Sequence, residues 1–158
     1  MSDEAAVGRG GEAAIERPEI EFLLMADFAE AVNGKIYMMG GGWDRRGVVD
    51  FKQPQGFAVV VGVAIPWNDT NRPIPLAISL LDADGAPLLP ALQTQLTAGR
   101  PPNARPGQRL RFMLAVNLQV ILPGLGEYVV EAQVDGRAAK RVGFFADPLQ
   151  AMPGQTLA

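Results

Sequence analysis

From residue 110 to 122, bulky apolar side chains recur at every second position: Leu110, Phe112, Leu114, Val116, Leu118, Val120 and Leu122. Arg109, Arg111, Ala115, Asn117 and Gln119 fall between them. Successive side chains of an extended chain point to opposite faces, so this spacing predicts a strand with one buried face. Phe57, Val59, Val61, Val63 and Ile65 repeat the pattern, with small Ala58, Gly62 and Ala64 between them. Ile74, Leu76, Ile78 and Leu80 do so again, as do Tyr128, Val130, Ala132 and Val134. No window of comparable length carries a helical period. Turn dipeptides divide these runs. Asn33-Gly34 separates Ile20–Ala31 from Lys35–Met39, and Asp135-Gly136 separates 127–134 from 137–145. Both dipeptides favour the left-handed backbone of two-residue hairpins. Asp84-Gly85 divides 74–82 from a strand expected near 88–97. Pro123-Gly124-Leu125-Gly126 turns the chain after 122, and Pro101, Pro102, Pro106 and Gly107 mark a long loop at 99–108.

Regularly spaced short strands predict an all-β fold, an immunoglobulin-like β-sandwich of about 7–9 antiparallel strands rather than a barrel. Gly126-Glu127-Tyr128 adds to this. In such sandwiches a Tyr after a Gly-containing turn often opens the next-to-last strand, and its hydroxyl bonds back to the corner backbone. Val130 would then stand where antibody domains carry a Cys. The alternative is a Tyr that merely packs beside a turn. Residues 1–18 are Gly, Ala and charge and are expected to form a flexible arm. A flexible tail is expected at 148–158, leaving a single sandwich domain at 19–147.

The composition narrows the chemistry. The 158 residues include no Cys and no His. Ser-His-Asp and Cys-His catalysis, thiol redox chemistry and zinc sites of the usual Cys/His type are therefore excluded. Any acid–base step would fall to Asp, Glu, Lys, Tyr or a bound metal. The net charge of −3 offers no general field for nucleic acid or an anionic membrane, so neither is expected as a partner. The N-terminus lacks the basic start and apolar run of a signal peptide, and a cytoplasmic protein is expected.

Two loops stand out. Pro66–Pro73 carries Trp67, Asn68, Asp69, Asn71 and Arg72 between two core strands. An indole beside amide, carboxylate and guanidinium groups suits recognition. The same residues also suit a structured turn with Trp67 plugging the end of the sandwich. Calcium wants 6–8 oxygens, usually with several carboxylates, and this loop supplies one, so no metal site is expected. The second loop is Gly40-Gly41-Gly42-Trp43-Asp44-Arg45-Arg46. It lacks nucleotide-motif spacing and any following helix, so it reads as a bulge that bends an edge strand and leaves Trp43, Asp44 and Arg45 near the bend. Arg100, Arg105, Arg109 and Arg111 around the Pro-rich loop read as solvated charges, and Arg137, Lys140 and Arg141 as protection for a sheet edge. Asp27, Glu30, Asp44 and Asp69 read as surface carboxylates; Glu21 and Asp27 share a face, but at about 20 Å they are too far apart to act together.

Three stretches resemble those of a known family: Ala26-Asp27-Phe28-Ala29-Glu30 with Asn33-Gly34-Lys35 and Gly40-Gly41-Gly42-Trp43-Asp44; Pro66-Trp67-Asn68-Asp69-Thr70-Asn71-Arg72-Pro73; and Leu114-Ala115-Val116-Asn117 with Leu122-Pro123-Gly124. The family is an uncharacterised one of small bacterial proteins, common in actinobacteria, catalogued only as a domain of unknown function. The resemblance spans roughly residues 20–146 and implies one domain without assigned chemistry. The expected function is a non-enzymatic binding or assembly module that needs no cofactor. It would recognise a protein partner, or a second copy of itself, through Trp43, Asp44, Arg45 and Trp67–Arg72. The alternatives are an Asp/Glu enzyme acting on a small molecule or carbohydrate, and a self-assembling structural subunit.

Overall fold

The computed structural model describes residues 16–149. Nine strands are formed: β1 Glu19–Val32, β2 Lys35–Gly41, β3 Arg45–Val48, β4 Gln55–Ile65, β5 Ile74–Asp82, β6 Leu92–Leu96, β7 Leu110–Val120, β8 Gly126–Val134 and β9 Arg137–Pro148. They make two sheets, ordered β2-β1-β4-β7 and β3-β9-β8-β5-β6. The alternating apolar positions meet between them. Leu23, Met25, Phe57, Val59, Val61, Val63 and Ile65 from the first sheet join Ile74, Leu76, Ile78, Leu80, Val130, Val134 and Phe144 from the second in one buried cluster. The expected all-β sandwich is thus the observed one, with one 3₁₀ turn among the described residues, at Trp67–Asp69. No helix among the described residues is long and apolar enough to cross a membrane.

Both hairpin dipeptides take the backbone their sequence demands. Asn33 and Gly34 have φ of 50° and 72°, Asp135 and Gly136 of 55° and 74°. The Tyr128 corner also forms. The hydroxyl donates to the Gly124 carbonyl at 2.6 Å, and the Gly124 N–H donates to the hydroxyl oxygen at 3.2 Å. Because this Tyr is buried, Tyr128→Phe leaves a Gly124 carbonyl short of its donor. Urea titration is expected to show a loss of about 1–2 kcal/mol; an unchanged midpoint would mean the bond does no work.

Several details depart from the expectations. β3 was not legible, and it pairs parallel to β9 from Arg45↔Phe145 to Val48↔Pro148, not antiparallel. The Gly40–Gly42 run is not a bulge. Ala26↔Gly41 and Phe28↔Met39 keep the same register as Val32↔Lys35, so no residue is inserted. The glycines instead bend and end the strand, with φ of 59° at Gly40 and 81° at Gly42. A Cβ at Gly40 would collide with the Asp27 carboxylate. The arm expected at 1–18 and the tail expected at 148–158 lie mostly outside the described residues. At their inner ends Pro18 is buried, Pro148 completes β9, and the Leu149 N–H donates to the Val48 carbonyl at 2.8 Å.

β4 is buried on both faces from Phe57 to Ile65. Its outer face is covered because β1 leaves it. β1 pairs with β4 only as far as Ala26↔Ala58 and continues with β2 alone. Ala29 and Ile36 of that outer hairpin pack with Ala58, Val60 and Ala115. Asn117, reaching from β7, closes the arrangement: its amide accepts from the Ala29 N–H at 3.3 Å and donates to the Ala29 carbonyl at 2.8 Å. The small residues between the bulky ones of β4 are therefore a docking face for the hairpin.

Candidate functional site

The Trp67 loop joins β4 to β5 across the end of the sandwich, and its side chains are tied into two networks. Arg100, from the chain after β6, lays its guanidinium over the Trp67 ring at 3.9 Å from the centroid. Arg100 also donates from Nε to Thr70 Oγ1 at 2.7 Å and from Nη2 to the Trp67 carbonyl at 3.1 Å. Thr70 in turn donates to that carbonyl at 2.6 Å. In the second network Arg72 donates from Nε to Asp69 at 2.8 Å and from Nη2 to Asp135 at 3.0 Å. Asn71, at φ 62°, lets the loop turn, and its N–H donates to the Ala98 carbonyl at 2.8 Å. The loop is thus bound to the β6–β7 connection and the β8–β9 turn. Asn68 and Asn71 are exposed, while Trp67, Asp69 and Arg72 are half-buried.

Asp135 accepts from Arg72, and this bond holds its carboxyl below the usual carboxylate range; Arg72 is raised by the same partner and by Asp69. Folding therefore lowers the Asp135 pKa. Its contribution is present above the unfolded value of about 4 and is lost as the pH falls through the folded one. Asp135→Asn keeps a residue that accepts the left-handed turn. The variant is expected to be less stable at pH 7 by about 1 kcal/mol or less, since the pair is partly open to solvent. That gap should close in acid. Urea melts from pH 7 to pH 2 check this, and a gap that widens toward low pH would contradict it.

Beside this rim, on the outer face of the β5-β6-β8 region, lies a depression of about 620 Å³ lined by Pro75, Ala77, Gln93, Gln95, Gln133 and Gly136 among others. Its floor is apolar and its sides carry glutamine amides, which both donate and accept hydrogen bonds. The Asp135–Gly136 turn connects it to Arg72. Sequence gave no signal for it, because Gln93 and Gln133 lie on different strands and meet only through β5, at Ala77.

Trp43 is elsewhere and differently used. Its ring meets Phe57 and Phe144 edge-on, with centroids 6.0 and 5.6 Å away, and Arg46 sits over it at 5.9 Å. It therefore packs against the core as a half-buried plug. Asp44 and Arg45 are exposed, and Arg45 pairs with Asp147. Phe57 and Ile65 are eight residues apart on β4, about 26 Å at strand rise. The Trp43 and Trp67 loops accordingly occupy opposite ends of the sandwich and cannot form one recognition surface.

Several other charges are paired. Arg111 grips Glu21 through Nε at 3.0 Å and Nη2 at 2.6 Å. Arg109 approaches Glu19 at 3.6 Å, and Arg46 approaches Asp27 at 3.4 Å. Arg100 and Arg111 are exposed, as expected of surface charges, but each is also tied to the fold, Arg100 to the Trp67 loop and Arg111 to Glu21. Arg137, Lys140 and Arg141 stand on the half of β9 that β3 leaves uncovered. Among the described residues no three Asp or Glu side chains converge as a metal site would need.

The family model for a family of unknown function (DUF6941) matches residues 21–146. The chain belongs to that family. The matched span contains all of β2 to β8, the Trp67 rim, the Trp43 plug and the glutamine-lined depression, so the whole sandwich apart from the outer ends of β1 and β9 is family territory. No curated protein matches the chain.

Proposed function

We propose that the chain is a non-enzymatic binding module of the cytoplasm that holds a protein partner at the Trp67–Arg72 rim and the adjoining depression. The observation that carries this is the pre-set rim. Arg100 and Arg72 fix the loop through their side-chain bonds beside a groove walled by neutral amides. A surface already ordered loses little entropy on binding. Glutamine amides over an apolar floor match the alternating carbonyls and N–H groups of a polypeptide segment better than they match a charged small molecule. Of the carboxylates near the rim, Asp69 and Asp135 are both held by Arg72, and elsewhere Glu21 is held by Arg111 and Glu131 by Arg141.

The immunoglobulin-like reading supports the same role. β1-β4-β7 facing β9-β8-β5-β6, with a Tyr corner opening β8, favours that reading. Such sandwiches commonly use the loops at one end for recognition. Trp67→Ala with Arg72→Ala should leave a folded protein, since neither side chain belongs to the buried core. Affinity capture from the native host, read by mass spectrometry, is expected to recover a protein with the parent chain and lose it, by tenfold or more, with the double variant. Equal recovery by both would remove the rim from the proposal.

A further inference from the structure

We infer that the outer edge of β2 is a second interaction surface, and that its occupant is another copy of this chain, paired antiparallel strand to strand. This goes beyond the rim, which lies at the other end of the sandwich. β2 is an edge strand, and among the described residues nothing pairs with its outer side. The two-residue turn makes Val32↔Lys35 a hydrogen-bonded pair, so Lys35, Tyr37 and Met39 aim their peptide groups at β1. Those of Ile36 and Met38 consequently face outward as a free ladder.

The side chains beside that ladder are apolar and open. On the hairpin face turned away from the body, Phe28, Tyr37 and Met39 are 50%, 57% and 71% exposed, and Met38 beneath them is 42% exposed. Edge strands are ordinarily blunted with charge, Pro or a bulge. β2 has no Pro, no bulge and one charge, Lys35 at its start. The hairpin is not a loose arm, because its underside packs on β4 and Asn117 clamps Ala29.

Self-pairing fits this edge. A two-fold axis at Met38 sets Met38 against its counterpart and Tyr37 against Met39 of the other copy, with each Phe28 next in the row. The six exposed side chains then form one apolar strip, bordered in each copy by Glu30, which stands across from Tyr37. Lys35 of the two copies are held about 20 Å apart, so like charges do not meet. Pairing of this kind covers the free peptide ladder and the flanks of Tyr37, Met38 and Met39, a small interface of the weakly associating class below about 1,200 Å². A weak, concentration-dependent dimer is expected.

Sedimentation equilibrium of the full chain from about 1 to 300 µM tests this. The parent is expected to move from monomer to dimer across that range. Tyr37→Lys with Met39→Lys should weaken the association at least tenfold while the circular dichroism spectrum is unchanged. Should that pair fail to fold, Met39→Lys alone, at the most exposed of these positions, serves instead. Trp67→Ala with Arg72→Ala should dimerise like the parent. A parent that stays monomeric at 300 µM overturns the inference, and so does a dimer indifferent to the β2 substitutions. Neither result bears on the rim.

Discussion

Replacing Phe144 by alanine is expected to destabilise the protein by about 3–5 kcal/mol, the cost of emptying a large aromatic from a packed core. Phe144 is almost wholly buried and is the hub of the aromatic cluster. Its ring lies 5.6 Å from Trp43, 5.6 Å from Phe57 and 5.5 Å from Tyr128. These contacts join β9, β8, β4 and the segment before β3, so its loss loosens both sheets at once. Equilibrium unfolding in guanidinium measures the change directly. A loss below about 1 kcal/mol, the scale of an ordinary surface substitution, would show that the two sheets do not close on this side chain.

The second large effect separates the two tryptophans. Trp43→Ala is expected to cost about 2–4 kcal/mol, because it strips two edge-on aromatic contacts and opens the core between β4 and β9. Trp67→Ala is expected to cost about 1 kcal/mol, since it loses one face against Arg100 and no core contact. Thermal melts of the two single variants make the comparison. Equal destabilisation would contradict it, and a Trp67 variant that is the less stable of the two would place Trp67 in the core and take away the rim's main side chain.

The contrast marks where the sequence could be read and where it could not. Period-two alternation of bulky side chains was legible in β4, β5, β7 and β8, though not that β4 is buried on both faces, and Asn33-Gly34 and Asp135-Gly136 announced their hairpins through residues that tolerate positive φ. Tyr128 was legible because its partner lies four residues away. β3 was not, since Arg45-Arg46-Gly47-Val48 has no alternation and is held only by pairing with a strand about one hundred residues later. Trp43 and Trp67 looked alike on paper; only tertiary packing sends one inward and leaves the other under Arg100. The glutamine-lined depression and the Asp69–Arg72–Asp135 cluster arise from residues on separate strands and turns, and no local spacing encodes them. The open apolar face of the β1–β2 hairpin was hidden for a related reason. Phe28, Tyr37 and Met39 alternate as core residues do, yet β1 has by then swung clear of the sandwich.

Amide hydrogen exchange on the chain with and without its captured protein tests the rim most directly. Binding is expected to slow exchange in the segment 67–72, in β6 around Gln93–Gln95 and at the 133–136 turn, and to leave 43–48 unchanged. Protection confined to the Trp43 end, with 67–72 and 133–136 exchanging as freely as before, would contradict the assignment.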